Sequence, residues 1–357
     1  MADMKRIQFL AAIALLTVLA ACTRPATIGF SQEVEGLASQ TLFVASQRTA
    51  GQAGQMFGER RSEKMNYAEL RVSVPPKHKL GHIERAPGRS IADPMLHFAP
   101  LTGKRVANIE DFSRNIKREK VGNGSVMIFV HGYNNTLEDA AFRLAQIRHD
   151  FDMQEPAILF SWPSSGDPRG YIYDRDSVLF ARDGFEQLIR DLRARGHRDI
   201  VIVAHSMGGY LTMETLRQIA IKGGARVMDA IDAVILMSPD IDPDVFRQQA
   251  RAIGKLPQPF LIMTSRKDKV LSLAELLTGR KPRLGRIEDE QAVAGLDVTL
   301  IDLTRLDDGS AGGHLVAVSS EAAIKLLKGL DNPIQYGGRQ LRDFVLLGGE
   351  RRTGLIQ

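Results

Sequence analysis

The stretch Ile200-Val201-Ile202-Val203-Ala204-His205-Ser206-Met207-Gly208-Gly209 decides how the rest of this chain is read. Five apolar, mostly β-branched residues in a row suit a strand buried on both faces. Tyr210, Leu211, Met213 and Leu216 then repeat at helical spacing, so a helix must begin directly after Ser206. A strand that turns into a helix without a linker leaves no room for large side chains two residues either side of the serine. Those places hold Ala204 and Gly208. Such a turn stands the serine hydroxyl proud of the sheet's carboxyl edge, with the start of a helix beneath it. The general pattern has glycine at both flanking places, and Ala204 departs from it by one methyl group while keeping the steric logic.

Outward from this turn, short apolar runs alternate with longer helical patterns. Val126 to Val130, Ala157 to Phe160, Ile200 to Ala204, Ala233 to Met237, Phe260 to Thr264 and Val298 to Ile301 read as strands. Their near-continuous apolarity requires cover on both faces. Thr136, with Asp139 three residues on, can cap a helix whose inner face is Leu137, Ala141, Leu144 and Ile147. Val178, Ala181, Phe185, Leu188 and Leu192 line the next helix. Asp242-Pro243 starts another, with the aspartate as cap and the proline at the first helical position. Strands alternating with helices predict an α/β class with a mostly parallel sheet and helices on both faces. Right-handed crossovers leave only a few doubly wound topologies.

Before Ser125 the pattern is weaker. Leu42 to Ala45 and Glu69 to Val74 read as strands separated by a loop rich in glycine and arginine. Pro75-Pro76 and Ala86-Pro87-Gly88 punctuate an irregular stretch. Thr102 to Gly124, carrying Lys117, Arg118 and Lys120 and ending in Gly122-Asn123-Gly124, reads as a solvated helix and turn. The expected division is a leader over 1–21, a polar tether over 22–41, an N-terminal extension over 42–124 packing on the core, the α/β domain over 125–330 and a tail over 331–357.

The leader has the layout of a secretory signal: Lys5 and Arg6, an apolar run from Ile7 to Ala21, then Cys22 after small residues. The run falls short of the ~20 residues that span a bilayer comfortably. Leu19-Ala20-Ala21-Cys22 resembles a bacterial lipobox, which implies cleavage before Cys22 and acylation of that cysteine. The expected location is then the bacterial cell envelope, on a membrane through a lipid anchor, and Thr23 after the cysteine suggests the outer membrane. An uncleaved anchor, or an ordinary signal beside a chance cysteine, is the plainer alternative. Cys22 is the only cysteine, which excludes a disulfide within the chain. The net charge of +5 comes from basic residues scattered along the sequence rather than striped, so no nucleic-acid partner is expected.

Taken together, these residues resemble the α/β-hydrolase superfamily. His131-Gly132-Tyr133-Asn134, after the first core strand, looks like its oxyanion loop. Phe160-Ser161-Trp162-Pro163-Ser164, the Ala204–Gly208 turn, Ser238-Pro239-Asp240, Ser46-Gln47-Arg48 and Val72-Ser73-Val74-Pro75 are similar to a bacterial group of esterase/lipase enzymes whose physiological role is unknown. The likeness covers most of residues 42–330. It implies the α/β-hydrolase fold and a serine hydrolase acting on a small-molecule or lipid ester through Ser206.

That resemblance also implies the chain order nucleophile, acid, histidine. Of eight histidines only His314 follows Ser206, in the glycine loop Gly312-Gly313-His314, read as mobile enough to carry the imidazole over the serine. The acid belongs after the penultimate strand, where Ser265-Arg266-Lys267-Asp268 places Asp268; Asp240, one strand earlier, is the competitor. The oxyanion donors are the N–H of Met207 and, by resemblance, the N–H of Tyr133, with Gly132 allowing close approach. His131 and His205 read as structural. Trp162 fits a pocket wall or the core equally, and Tyr171, Tyr173 and Asp174 read as a loop shaping access for substrate. No HExxH, P-loop or strand-borne GxGxxG occurs, so no cofactor and no metal are expected. Amide or thioester cleavage and acyl transfer would use the same residues. A different class of reading is an inactive hydrolase scaffold that binds envelope lipid, polymer or a partner protein.

Overall fold

A single mixed sheet organises the chain in the computed structural model, which describes residues 29–51, 56–88, 90–119 and 125–329. The leader, Cys22, the Gly122-Asn123-Gly124 turn and the 331–357 tail lie outside the described residues. The strands are β1 (Ser39–Ala50), β2 (Phe57–Ser73), β3 (Ala99–Val106), β4 (Val126–Val130), β5 (Ala157–Ser161), β6 (Ile200–His205), β7 (Ile231–Met237), β8 (Phe260–Thr264) and β9 (Thr299–Asp302). They lie in the order β3-β2-β1-β5-β4-β6-β7-β8-β9. The β1–β2 and β2–β3 pairs are antiparallel, and every other pair is parallel.

The helices are α1 (Ile109–Arg118), α2 (Leu137–Asp150), α3 (Tyr171–Ala194), α4 (Met207–Ile221), α5 (Ala225–Met228), α6 (Pro243–Ile253), α7 (Lys269–Leu277), α8 (Val316–Ser319) and α9 (Glu321–Gly329). Alternation along β4 shows how the layers form: Val126, Ile128 and Val130 face the side packed by α1, α3, α4 and α6, while Met127 and Phe129 face α2, α8 and α9. Each large apolar side chain so buried contributes about 1.5–3 kcal/mol relative to exposure. Thr136 and Asp139 cap α2 reciprocally, with Asp139 N–H donating to Thr136 Oγ1 at 3.1 Å and Thr136 N–H to Asp139 Oδ2 at 3.0 Å. Asp242 caps α6 and Pro243 occupies its first position.

From β4 the chain moves to β5 on one side of it, then returns to β6 on the other. Such a reversal is a topological switch point, and open α/β sheets bind ligands beyond the carboxyl ends of the strands that flank it, here β4 and β6. Residues 131–132 and 205–206 follow these two strand ends directly.

The six expected core strands all occur, with β7 starting two residues earlier at Ile231. The N-terminal region differs more. β1 begins at Ser39, inside the segment read as tether, and Ser31 N–H donates to Pro100 O at 2.8 Å. Much of the loop expected between the two N-terminal strands is a long β1–β2 hairpin. Thr102 to Val106 belongs to β3, and the helix that follows buries Phe112 and Ile116 rather than being solvated throughout. The extension therefore supplies three strands of the main sheet, with β1 pairing alongside β5. The half-exposed run from Glu59 to Asn66 hides the outer part of β2 in the sequence, because charged residues there mask the strand period. None of the described helices is long and apolar enough to cross a membrane.

Candidate active site

Ser206 sits at φ 53°, ψ −120°, between β6 and α4. A non-glycine residue in that region carries strain and persists only when its surroundings fix it. Those surroundings are tight. A Cβ at Gly208 would lie 2.4 Å from Val130 O and 2.5 Å from His131 O, so α4 abuts the end of β4 directly. Ala204 is fully buried. Ser206 O also accepts from Asp240 N–H at 3.1 Å and from Gly209 N–H at 2.9 Å, pinning the turn from two sides.

His314 and Asp268 meet at the same sheet edge: Nδ1 of the imidazole lies 2.7 Å from Oδ2 of the carboxylate, and both side chains are buried. Asp268 uses its other oxygen, Oδ1, to cap α7 through Leu271 N–H at 2.8 Å, so the carboxylate is held by two partners. The loop read as mobile is a 3₁₀ turn, Ser310–Gly313, in which Ala311, Gly312 and Gly313 all have positive φ. Gly313 has no space for a side chain, since a Cβ would lie 2.5 Å from Asp307 Oδ2. His205 packs its ring edge-on against His314, centroids 4.6 Å apart, and its Nε2 lies 3.3 Å from His314 O. Burial, then the neighbouring His314, holds the His205 pKa well below the usual imidazole range, so it supports this loop as a neutral ring. The Ser206 hydroxyl makes no protein hydrogen bond among the described residues. Bonds of this kind often close only when substrate is bound.

The loop after β4 lies against the serine turn. A Cβ at Gly132 would approach His205 Nδ1 to 2.8 Å and Ser206 Cβ to 3.0 Å, so only glycine lets the loop come this near. Met207 opens α4, where the leading N–H groups lack intrahelical acceptors. Tyr133 N–H has no acceptor among the described residues. The Tyr133 ring packs edge-on against Tyr171, and its hydroxyl donates to Pro168 O.

Two charged residues fix this loop from beneath. Asp174, fully buried, accepts from Asn134 N–H at 3.0 Å, Ser164 Oγ at 2.6 Å and Ser165 N–H at 2.6 Å. Burial pushes its carboxyl above the usual range, against the pull of those donors. Asp174 thus braces Asn134, itself at φ 57°, and it lies in the first turn of α3 rather than in a loop, as do Tyr171 and Tyr173. Arg48, from β1, donates to Asn135 O at 3.2 Å, Ser164 O at 3.0 Å and Ser161 Oγ at 3.3 Å. Burial lowers its pKa to about 10. The role of Arg48 was not visible in the sequence, where its one signal was membership of the Ser46-Gln47-Arg48 motif.

Trp162 is fully buried in the core, its indole N–H donating to His131 O at 2.7 Å and its ring stacked on the His131 imidazole at 4.9 Å. Burial, reinforced by Arg48, pushes His131 down to about 3, so this ring stays neutral under the loop. Asp240 is engaged elsewhere: Tyr171 Oη donates to its Oδ2 at 2.9 Å, and Arg283 Nε lies 3.1 Å from its Oδ1 as a buried ion pair. Tyr171 is pushed up to about 12 by burial and by that carboxylate. Side chains with metal-ligand chemistry also gather at His78, His149 and Asp150.

A doubly wound sheet with a serine turn at its switch point defines an α/β hydrolase. The chain belongs to the family described as alpha/beta hydrolase of unknown function (DUF900), whose sequence profile matches residues 104–329. No curated protein matches the sequence. Among solved structures it is similar to esterase PE8, with 19% identity and a TM-score of 0.40 over 60% of this chain and 94% of that one. It is also similar to a predicted CIB-like hydrolase from Thermoplasma acidophilum, with 17% identity and a TM-score of 0.34 over 83% and 100% of the two chains. Esterase B from Lactobacillus rhamnosis gives 12% identity and a TM-score of 0.37 over 93% and 97%.

Proposed function

We propose that this α/β hydrolase is a serine hydrolase that cleaves carboxylic esters through an acyl-enzyme on Ser206. The observation that carries the reading is the 2.7 Å contact between His314 Nδ1 and Asp268 Oδ2 at the edge that holds the strained serine turn. With Nδ1 occupied, Nε2 of His314 is the nitrogen free to take a proton. In the proposed reaction Ser206 Oγ attacks the ester carbonyl and its proton passes to Nε2. The imidazolium then protonates the leaving alcohol as the ester bond breaks. Water next attacks the acyl-enzyme, gives its proton to Nε2, and the acid departs with the serine restored. The carbonyl oxygen becomes negative at both attacks, and the Met207 and Tyr133 N–H groups are the donors assigned to it. Each such donor stabilises the transition state by about 2.7–4 kcal/mol. The same proposal places the protein in the bacterial envelope, anchored by an acylated Cys22.

A fluorophosphonate probe tests the reading, because it labels only an activated serine. The full chain should be labelled at Ser206 and should hydrolyse aryl esters of graded acyl length, while Ser206→Ala loses both activities and keeps its fold. An unlabelled wild type would instead mark an inactive scaffold. Wild-type turnover in Ser206→Ala would move the nucleophile elsewhere.

A further inference from the structure

At the far end of α2 from Ser206, a second, partly buried cluster joins residues from distant parts of the chain. His78 lies between two carboxylates, with Nε2 at 2.8 Å from Asp150 Oδ1 and Nδ1 at 2.8 Å from Glu84 Oε2. Asp150 is fully buried, and its other oxygen accepts from Gly81 N–H at 2.7 Å and from the Gln146 amide. The His149 ring stands edge-on to His78, centroids 5.3 Å apart. One ligand atom from each of His78, His149 and Asp150 lies within 4.8 Å of the others.

We propose that His78, His149 and Asp150 form a binding site for a divalent transition-metal ion, with zinc the best match to their chemistry. Two imidazoles and one carboxylate are a zinc donor set that leaves a fourth position for water. Magnesium and calcium prefer all-oxygen shells, which this group does not offer. The surroundings are those a ligating histidine needs: Glu84 holds the nitrogen of His78 that faces away, fixing the ring's orientation. Gly81 and Gln146 hold the Asp150 oxygen that faces away and leave Oδ1 for the metal. Among the described residues the His149 ring makes no hydrogen bond, and its partial exposure gives the ion a route from solvent. The nearby Lys328 is paired with Asp152 at 2.5 Å, which offsets its repulsion of a cation.

Binding exchanges the proton shared by His78 Nε2 and Asp150 Oδ1 for the ion, and that contact opens as both atoms take metal bonds of about 2.0–2.2 Å. The ion would clamp residues 75–84 of the N-terminal extension to the end of α2. α2 starts at the carboxyl edge of the sheet and ends at the opposite edge, so the clamp lies away from the serine turn and bears on stability rather than chemistry. His78 and Asp150 stand 72 positions apart, which is why no local motif revealed them.

The experiment is calorimetric titration of the untagged full chain with Zn(II) and with Mg(II), joined to thermal melting. The expected result is one Zn(II) per chain, release of about one proton, a melting point raised by several degrees and reversed by chelator, and no response to Mg(II). His149→Ala is the decisive variant, because among the described residues that ring makes no hydrogen bond that its loss would break. It should melt like the metal-free wild type and lose the zinc response, whereas His314→Ala should keep it. A wild type with no zinc-dependent shift, or a His149→Ala variant that retains the full shift, would overturn the proposal.

Discussion

At Ser206 the backbone and the proposed chemistry make opposing demands. A residue at φ 53°, ψ −120° costs about 1–3 kcal/mol unless it is glycine. Glycine relieves that strain but adds about 0.5–1 kcal/mol of unfolded-chain entropy. Ser206→Gly should therefore be more stable than Ser206→Ala, by about 1 kcal/mol, and equally inactive. Chemical denaturation of the two variants measures the difference, and a less stable glycine variant would show that the turn holds no strain. That Asp268 and His314 meet was legible from chain order, because strands of a parallel sheet bring their following loops to one edge. Asp174 and Arg48 were not legible in this way. Apart from two serine hydroxyls, the atoms they bind are backbone groups of residues 134–135 and 164–165, and backbone partners leave no trace in residue type.

Among the elements, the two loops that follow β7 and β8 separate the two candidate acids. Asp268 both caps α7 and contacts His314, and asparagine is as good a cap as aspartate. Asp268→Asn should thus fold normally, and turnover should fall by about 10⁴-fold as the imidazole loses its tautomer partner. Asp240→Asn leaves Arg283 buried without its counter-charge, a change that costs about 3–5 kcal/mol in comparable pairs. That variant should melt much earlier while its folded fraction keeps substantial turnover. Measuring melting point and turnover on both proteins decides the matter, and the reverse pattern would make Asp240 the acid. Elements with strong periodicity, such as α2 and the strands of the parallel core, could be read from the sequence to within a residue or two, whereas the first two turns of α3, from Tyr171, read as a loop. β2 could not, because its outer half alternates around water rather than around a core.

For the whole molecule, the proposed anchor and the enlarged sheet meet at the amino end. If Cys22 is acylated, the purified membrane fraction should yield an N-terminal peptide that begins at a lipid-modified Cys22. Mass spectrometry reads this directly, and a chain still carrying Met1 would refute it. Downstream of the anchor, Ser46 on β1 hydrogen-bonds Ser161 on β5, 115 positions later. During synthesis the β1–β2–β3 meander therefore emerges long before the strand that completes its edge. Until then β1 presents an open row of hydrogen-bonding groups, the feature that invites pairing between neighbouring chains. The converse holds for protein engineering. Excising residues 125–329 as a minimal hydrolase would strip β5 of its neighbour and turn an interior strand into a bare edge.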